Sequence, residues 1–308
     1  MKNYLFFALT LFLIPTSAFA QRCVFEKPIE FDIPVDGQTL LELTMESGNL
    51  VVEGNDESDV VEIRATACAG NKSAVEDLDL VYEGHSESID IRSVTPDISS
   101  LFSFNNYAYI DTTITLPSDM DLSIDDGSGD ITVRNIASLK IVDGSGNIVI
   151  DSISGSLDLK DGSGNSSIRS VAGNAEIDDG SGSLVITHIA GDTDIIDGSG
   201  DLYIQHAKGT VRVRDGSGNM EISHSGPVII DDDGSGNISL SDIAGDVRVG
   251  SDGSGNINIT NAEGNVLVEN DGSGSITVAN IKGDFVVGEG GSGSVTYTGV
   301  QGKVSVSD

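Results

Sequence analysis

The tetrapeptide Asp-Gly-Ser-Gly recurs nine times in this chain, at a near-constant spacing of 18 residues. Its aspartates are Asp126, Asp143, Asp161, Asp179, Asp197, Asp215, Asp233, Asp252 and Asp271, and a degenerate tenth copy begins at Gly290. A unit this short cannot enclose a hydrophobic core of its own. It has to bury its apolar face against further copies of itself, so each repeat reads as one coil of a stacked solenoid.

The apolar residues agree with that reading. With the first Asp of a repeat as position zero, they usually fall at plus 5, 7, 10, 14 and 16. In the second copy these are Ile148, Ile150, Ile153, Leu157 and Leu159; in the seventh, Ile238, Leu240, Ile243, Val247 and Val249. A spacing of two marks a strand with one buried face. Two such strands per repeat, reversed by the Asp-Gly-Ser-Gly turn and by a second glycine at plus 12 (Gly155, Gly173, Gly191), give a flattened coil. The expected fold is all-β: a parallel β-solenoid, β-helix or β-roll, of about ten coils of 18–19 residues, preceded by an N-terminal β-rich domain. A meander of hairpins is the main alternative. The expected divisions are residues 1–20, 21–118 and 119–308. Within the second of these, Leu41 and Leu43, the turn Glu46-Ser47-Gly48-Asn49 and Leu50 to Val52 look like one worn copy of the repeat.

Residues 1–20 read as a secretory signal peptide. Lys2 precedes an almost unbroken apolar run from Tyr4 to Ile14, and Ala18-Phe19-Ala20 fits a small-x-small cleavage site. The expected destination is outside the cytoplasm: periplasm, cell surface or medium. There Cys23 and Cys68 form a disulfide by default, with two buried thiols as the alternative. No second apolar segment of spanning length follows, so no integral membrane segment is expected after cleavage. The net charge of -33 argues against non-specific binding to nucleic acid or anionic lipid and makes cations the natural counterions. It also opposes all but weak self-association.

Two files of side chains invite chemistry. Stacking puts the nine repeat aspartates in one line, where neighbours about 5 Å apart repel by about 3 kcal/mol at an effective dielectric of about 20. Local relief would come from turn N–H groups hydrogen-bonding each carboxylate. The alternative is a cation, calcium above all, shared between coils. The second file is His188, His206 and His224, all at plus 9, in a column that elsewhere holds Asn135, Ser152, Ser170, Asp242, Asn261 and Asn280. Three imidazoles at coil spacing could share zinc or copper, or form an exposed ladder spread by repeat duplication. Catalytic signals are weak. There is no Gly-x-Ser-x-Gly elbow with partner His and acid, and no pair of carboxylates stands out from those every coil offers.

The segment from Ile114 to Val133, Ile-Thr-Leu-Pro-Ser-Asp-Met-Asp-Leu-Ser-Ile followed by Asp-Asp-Gly-Ser-Gly-Asp-Ile-Thr-Val, resembles the bacterial putative-adhesin repeat family. The resemblance covers roughly residues 110–308. It implies a secreted or surface protein built on a glycine-turned β-solenoid and brings no catalytic residues. The expected function is therefore a non-enzymatic, adhesin-like structural or binding protein of the cell envelope, with a cell-surface polymer or protein as partner. A polysaccharide-active β-helical enzyme and a cation-binding repeat module are the alternatives.

Overall fold

A computed structural model describes residues 23–95 and 107–307. The leader expected over residues 1–20 lies outside the described residues, and so does Ser99 to Asn106, whose Ser-, Asn- and Phe-rich sequence reads as a loop.

Each repeat contributes one strand to each of two sheets, and each sheet has fourteen strands. Within the repeats, strands consecutive in sequence lie in opposite sheets, and each pairs in parallel with the strand one repeat away. In the second sheet Leu139 stands opposite Leu157, Ile141 opposite Leu159 and Asp143 opposite Asp161. In the first sheet Ile150 stands opposite Ile168 and Ile153 opposite Val171. This is the parallel β-solenoid of about ten turns, and the register rules out the hairpin meander. The five apolar columns fill the space between the sheets, where Ile150, Leu240, Val249 and Val278 are almost wholly buried. Like residues meet because one repeat carries one register.

The apolar spacing from plus 7 to plus 10 is three, which breaks the period of an ordinary strand. The cause is a left-handed residue at plus 9. Asn135, Ser152, Ser170, His188, His206, His224, Asp242, Asn261 and Asn280 all have φ between 52° and 62°. The ladder steps over each of them: Asp151 pairs with Arg169, then Ile153 with Val171, while Ser152 and Ser170 are skipped. The extra residue bends the strand into the corner and returns plus 10 to the core.

The amino-terminal strands join the same two sheets. Leu40–Met45 pairs in parallel with Asp121–Asp126, and Leu50–Asn55 pairs in parallel with Ile131–Ile136. The worn copy around Glu46 is thus a true coil, stacked directly on the first Asp-Gly-Ser-Gly repeat. The chain between them caps the rod. Ala108–Pro117 lies beside Leu50–Asn55, and Val60–Ala69 and Phe25–Pro34 extend that sheet in antiparallel fashion. On the other sheet Ser88–Val94 and then Asp79–Gly84 complete the end. A single helical turn, Lys72–Asp77, is capped by Asn71, whose Oδ1 accepts from the Ala74 N–H at 2.9 Å. Cys23 and Cys68 are bonded, with Cα atoms 5.6 Å apart. The link closes a loop of 45 residues, worth about 4 kcal/mol in chain entropy, and ties the first described residue to the cap.

Candidate functional site

The repeat aspartates point inward. Leu157, Leu159 and Asp161 alternate along one strand, so the carboxylate continues the buried face of the two leucines. All nine are at most 4% exposed. The local capping expected for every aspartate occurs at two of them. The Ser163 N–H donates to Asp161 Oδ1 and the Ser217 N–H to Asp215 Oδ1, both at 3.0 Å; Ser166 Oγ also donates to Asp161 Oδ2 at 3.1 Å. At the other seven, neither carboxyl oxygen has a hydrogen-bond partner. In all nine turns glycine N–H serves the ladder between coils, as where Gly144 N–H donates to Asp126 O and Gly146 N–H to Ser163 O, each at 3.0 Å, which leaves the serine N–H as the turn donor for the carboxylate. Elsewhere the serine N–H still favours the ionised carboxylate, as Ser145 does for Asp143 and Ser181 for Asp179, but it misses hydrogen-bond geometry.

A carboxylate in this position is costly to ionise. Burial first, and repulsion from neighbouring aspartates second, push the Asp126, Asp197 and Asp233 carboxyls up to about 7. The same two causes push Asp143, Asp179 and Asp252 up to about 6. Burial raises Asp161, Asp215 and Asp271 as well. Ionisation along the file is therefore displaced from the usual carboxylate range toward neutral pH, and the file is sealed from any substrate outside the rod. Among the described residues, no group of three or more His, Cys, Asp or Glu side chains is arranged to hold a metal ion.

The histidines form an exposed ladder. Ring centroids are 4.8 Å apart between His188 and His206 and 5.1 Å apart between His206 and His224. His224 Nε2 lies 3.7 Å from Asp242 Oδ2 in the next coil. Below that the ladder continues in amides: Asn261 Nδ2 donates to Asp242 Oδ1 at 2.8 Å, and Asn280 Nδ2 to Asn261 Oδ1 at 3.0 Å. The left-handed backbone accounts for the residue types, since Asn, Asp and His tolerate it better than most side chains. Accordingly, His206→Asn should leave the melting temperature unchanged. His206→Val, which forces a β-branched residue to positive φ, should cost about 1–2 kcal/mol. Equal melting of the two variants in a thermal scan would show that backbone conformation does not govern this column.

From the fourth coil on the two outer faces differ in charge; in the earlier coils the first sheet too carries an ion pair, Arg169 with Asp151. The second sheet turns ion pairs outward: Arg212 to Asp231 at 2.8 Å, Arg248 to Glu269 at 2.8 Å and Lys140 to Asp158 at 3.2 Å. The first sheet presents the plus 6 and plus 8 columns. From the fourth coil on they read Val185 and Thr187, Tyr203 and Gln205, Glu221 and Ser223, Ser239 and Ser241, Asn258 and Thr260, Thr277 and Ala279, Thr296 and Thr298. Glu221 is the one charged side chain among them. At about 4.8 Å per coil this strip of hydroxyls and amides is roughly 30 Å long.

Comparison with known proteins adds little to this geometry. No protein-family model matches the chain, and no curated protein matches it. Solved structures do. A putative cell adhesion protein from Clostridium sporogenes is similar over 91% of this chain and 97% of its own, at 12% identity and a TM-score of 0.22. A putative adhesin from Parabacteroides merdae covers 92% and 97%, at 11% identity and a TM-score of 0.27. A putative lipid binding protein from Parabacteroides distasonis covers 91% and 97%, at 16% identity and a TM-score of 0.25. At such low identity and TM-score, the fold rests on this chain's own strand register.

Within the neutral strip, Tyr203 is the one aromatic ring away from the carboxyl-terminal coil, and it is 41% exposed. A shallow groove runs beside it, lined by Val185, Thr187, Gln205, Glu221 and Ser223. Read along the sequence alone, the outward strand positions hold a mixed set, such as Thr277, Thr296, Thr298, Arg212 and Arg214. Sorting them by column would have separated Thr277, Thr296 and Thr298 on one sheet from Arg212 and Arg214 on the other.

Proposed function

We propose that this chain is an exported, non-enzymatic binding rod of the cell envelope, and that the strip from Val185 to Thr298 on the outer face of the first sheet engages an uncharged, hydroxyl-rich surface polymer such as a neutral polysaccharide. The observation that carries this reading is the segregation of charge. In a chain of net charge -33, one flat face keeps a strip of Ser, Thr, Asn and Gln with a tyrosine ring in it. Such a face offers hydrogen bonds in a repeating array, without the desolvation of many charges, and Tyr203 supplies a rigid apolar platform. The putative-adhesin resemblance of the repeat accords with it.

The competing reading, a polysaccharide-cleaving enzyme, calls for two carboxyls converging on a groove. The neutral strip carries only Glu221, and the nine file carboxyls are sealed inside. No helix among the described residues is long and apolar enough to cross a membrane.

The test is a binding screen of the purified protein against neutral and acidic polysaccharides at low and high salt. Binding to a neutral polymer should survive high salt, because no ion pairs carry it. Tyr203→Ala should weaken it about tenfold; Arg212→Ala on the opposite sheet should not change it. Binding that salt abolishes, or that Arg212→Ala weakens and Tyr203→Ala does not, would move the partner to the charged face and overturn the proposal.

A further inference from the structure

The chain has four histidines, and three of them, His188, His206 and His224, occupy one column in successive coils. The left-handed backbone of that column selects a class of side chain, but Asn, Ser and Asp meet its demand in the other coils. Nor do the three coils copy one another. Plus 6 holds Val185, Tyr203 and Glu221, plus 8 holds Thr187, Gln205 and Ser223, and plus 10 differs in all three as well. From plus 6 to plus 10 these coils share only the buried isoleucine at plus 7 and the imidazole at plus 9. Backbone conformation and repeat duplication therefore leave the histidines themselves unexplained.

The register brings the rings together. Each histidine is the residue that the strand ladder steps over, so it stands at the corner of the rod beside its equivalent one coil away. The His206 and His224 ring centroids are 5.1 Å apart. Two imidazoles on one tetrahedral ion, at metal–nitrogen distances of about 2.0 Å, have centroids about 5 Å apart. The two ends of the file differ. Before His188 the column holds Ser170, a neutral hydroxyl; after His224 it holds Asp242, whose Oδ2 lies 3.7 Å from His224 Nε2. As they stand, these three donors do not converge on one point. All three side chains are exposed, so they can turn onto one while the column fixes their backbone. Lys208, two residues past His206, is exposed as well, and its long stem lets the ammonium swing clear.

We propose that His206, His224 and Asp242 bind one divalent transition-metal ion of the zinc or copper class at the corner of the rod, with water completing its coordination. Neutral imidazoles and a carboxylate are donors that such ions accept, whereas calcium and magnesium take oxygen ligands and gain nothing from the rings. His188 is left out of the set. The middle ring, His206, directs one nitrogen at one ion, and Asp242 draws that ion to the His224 side with a charge that Ser170 cannot offer. The net charge of -33 concentrates any dication near the surface, and the imidazoles select this corner and this class of ion. The site is open and its side chains are ordered only on binding, so dissociation falls in the micromolar range. The ion stands beside the neutral strip and not on it, and the site does not depend on the polymer-binding reading.

Titration calorimetry of the chelator-treated protein with zinc chloride, at about 0.15 M salt to screen loose counterions, tests it. One zinc per chain should bind saturably, copper(II) should bind more tightly, and millimolar calcium should not displace zinc. His206→Asn and His224→Asn should each weaken zinc binding more than about tenfold, and Asp242→Asn about threefold to tenfold. His188→Asn should leave it unchanged. Asparagine already stands in this column at Asn135, Asn261 and Asn280, so all four variants should melt like the unmodified protein when free of metal. Histidine ring resonances give a second reading: those of His206 and His224 should shift with zinc, and that of His85 should not. Absence of saturable zinc binding would overturn the proposal. So would zinc that calcium displaces, binding that His206→Asn leaves intact, or binding lost in His188→Asn and kept in His224→Asn.

Discussion

Raising the pH from about 4 to about 8 should destabilise this protein, the reverse of what an ordinary acidic domain does over the lower part of that range. The cause is the buried aspartate file. A carboxyl whose folded pKa lies above its unfolded value binds more protons in the folded state between the two values, and stability falls with pH across that interval. Here the unfolded value is about 3.9, and the folded values reach about 7 for Asp126, Asp197 and Asp233 and about 6 for Asp143, Asp179 and Asp252. The stabilisation is fully present below about pH 4, declines as pH rises, and is lost once pH passes the folded values. One such carboxyl at full shift corresponds to about 4 kcal/mol. Neighbours that share protons along the file contribute less than that each. Surface carboxylates also charge up with pH and repel, so a single substitution has to separate the two effects. Asp197→Asn removes one buried titrating group whose oxygens have no hydrogen-bond partner. It should raise the melting temperature at pH 8, have little effect near pH 4, and flatten the slope between. A melting temperature that rises from pH 4 to pH 8, or an unchanged slope in Asp197→Asn, would mean that the carboxylates are ionised and satisfied, as a bound cation would make them.

The repeat exposes the fold to sequence reading because every coil repeats the same local decision. The columns of Ile148, Ile150 and Leu159 give the strands and their inward face, and Gly155 with its equivalents gives the reversals. The pairing then follows, since coils offset by one repeat are the only partners that match apolar to apolar. Burial of the aspartates was legible too: Asp161 continues the alternation of Leu157 and Leu159, but an ionisable residue beside a glycine turn is read first as a solvated turn residue. The left-handed column was visible only as a list of Asn, Ser, His and Asp with no shared side-chain chemistry. What they share is a backbone conformation, and the step of three from Ile150 to Ile153 is its trace. The coil formed by Leu40–Met45 and Leu50–Asn55 is a different case. Its partners Asp121–Asp126 and Ile131–Ile136 lie far along the chain, and no local pattern encodes a pairing across an inserted cap. The strip proposed to bind a polymer was missed for a similar reason. Its neutrality is a property of two columns summed over seven coils, not of any one repeat.

Gly218→Ala should be among the most damaging small substitutions in the rod. Gly218 has φ of 145°, a region that side-chain-bearing residues rarely adopt. Space is the harder constraint. A Cβ built there stands 1.5 Å from the backbone oxygen of Gly200 in the coil before. That oxygen belongs to the stacked turn and cannot swing aside as a side chain would, so one methyl group must push two coils apart. Relieving the overlap would break ladder bonds on both sides, such as Gly218 N–H to Ser235 O and Gly200 N–H to Ser217 O, each 2.9 Å. The expected loss exceeds about 4 kcal/mol. In a solenoid each coil contacts only its neighbours, so the damage should stay near the turn and appear as a new protease-sensitive site between Gly200 and Gly236. Ser217→Ala, one residue away, is the control. The backbone N–H of residue 217 still reaches Asp215 Oδ1, and the change should stay within about 0.5 kcal/mol. Thermal melting and limited proteolysis of the two variants measure the difference. If Gly218→Ala melts with Ser217→Ala and the unmodified protein, the turns do not stack at this distance and the coil register is wrong.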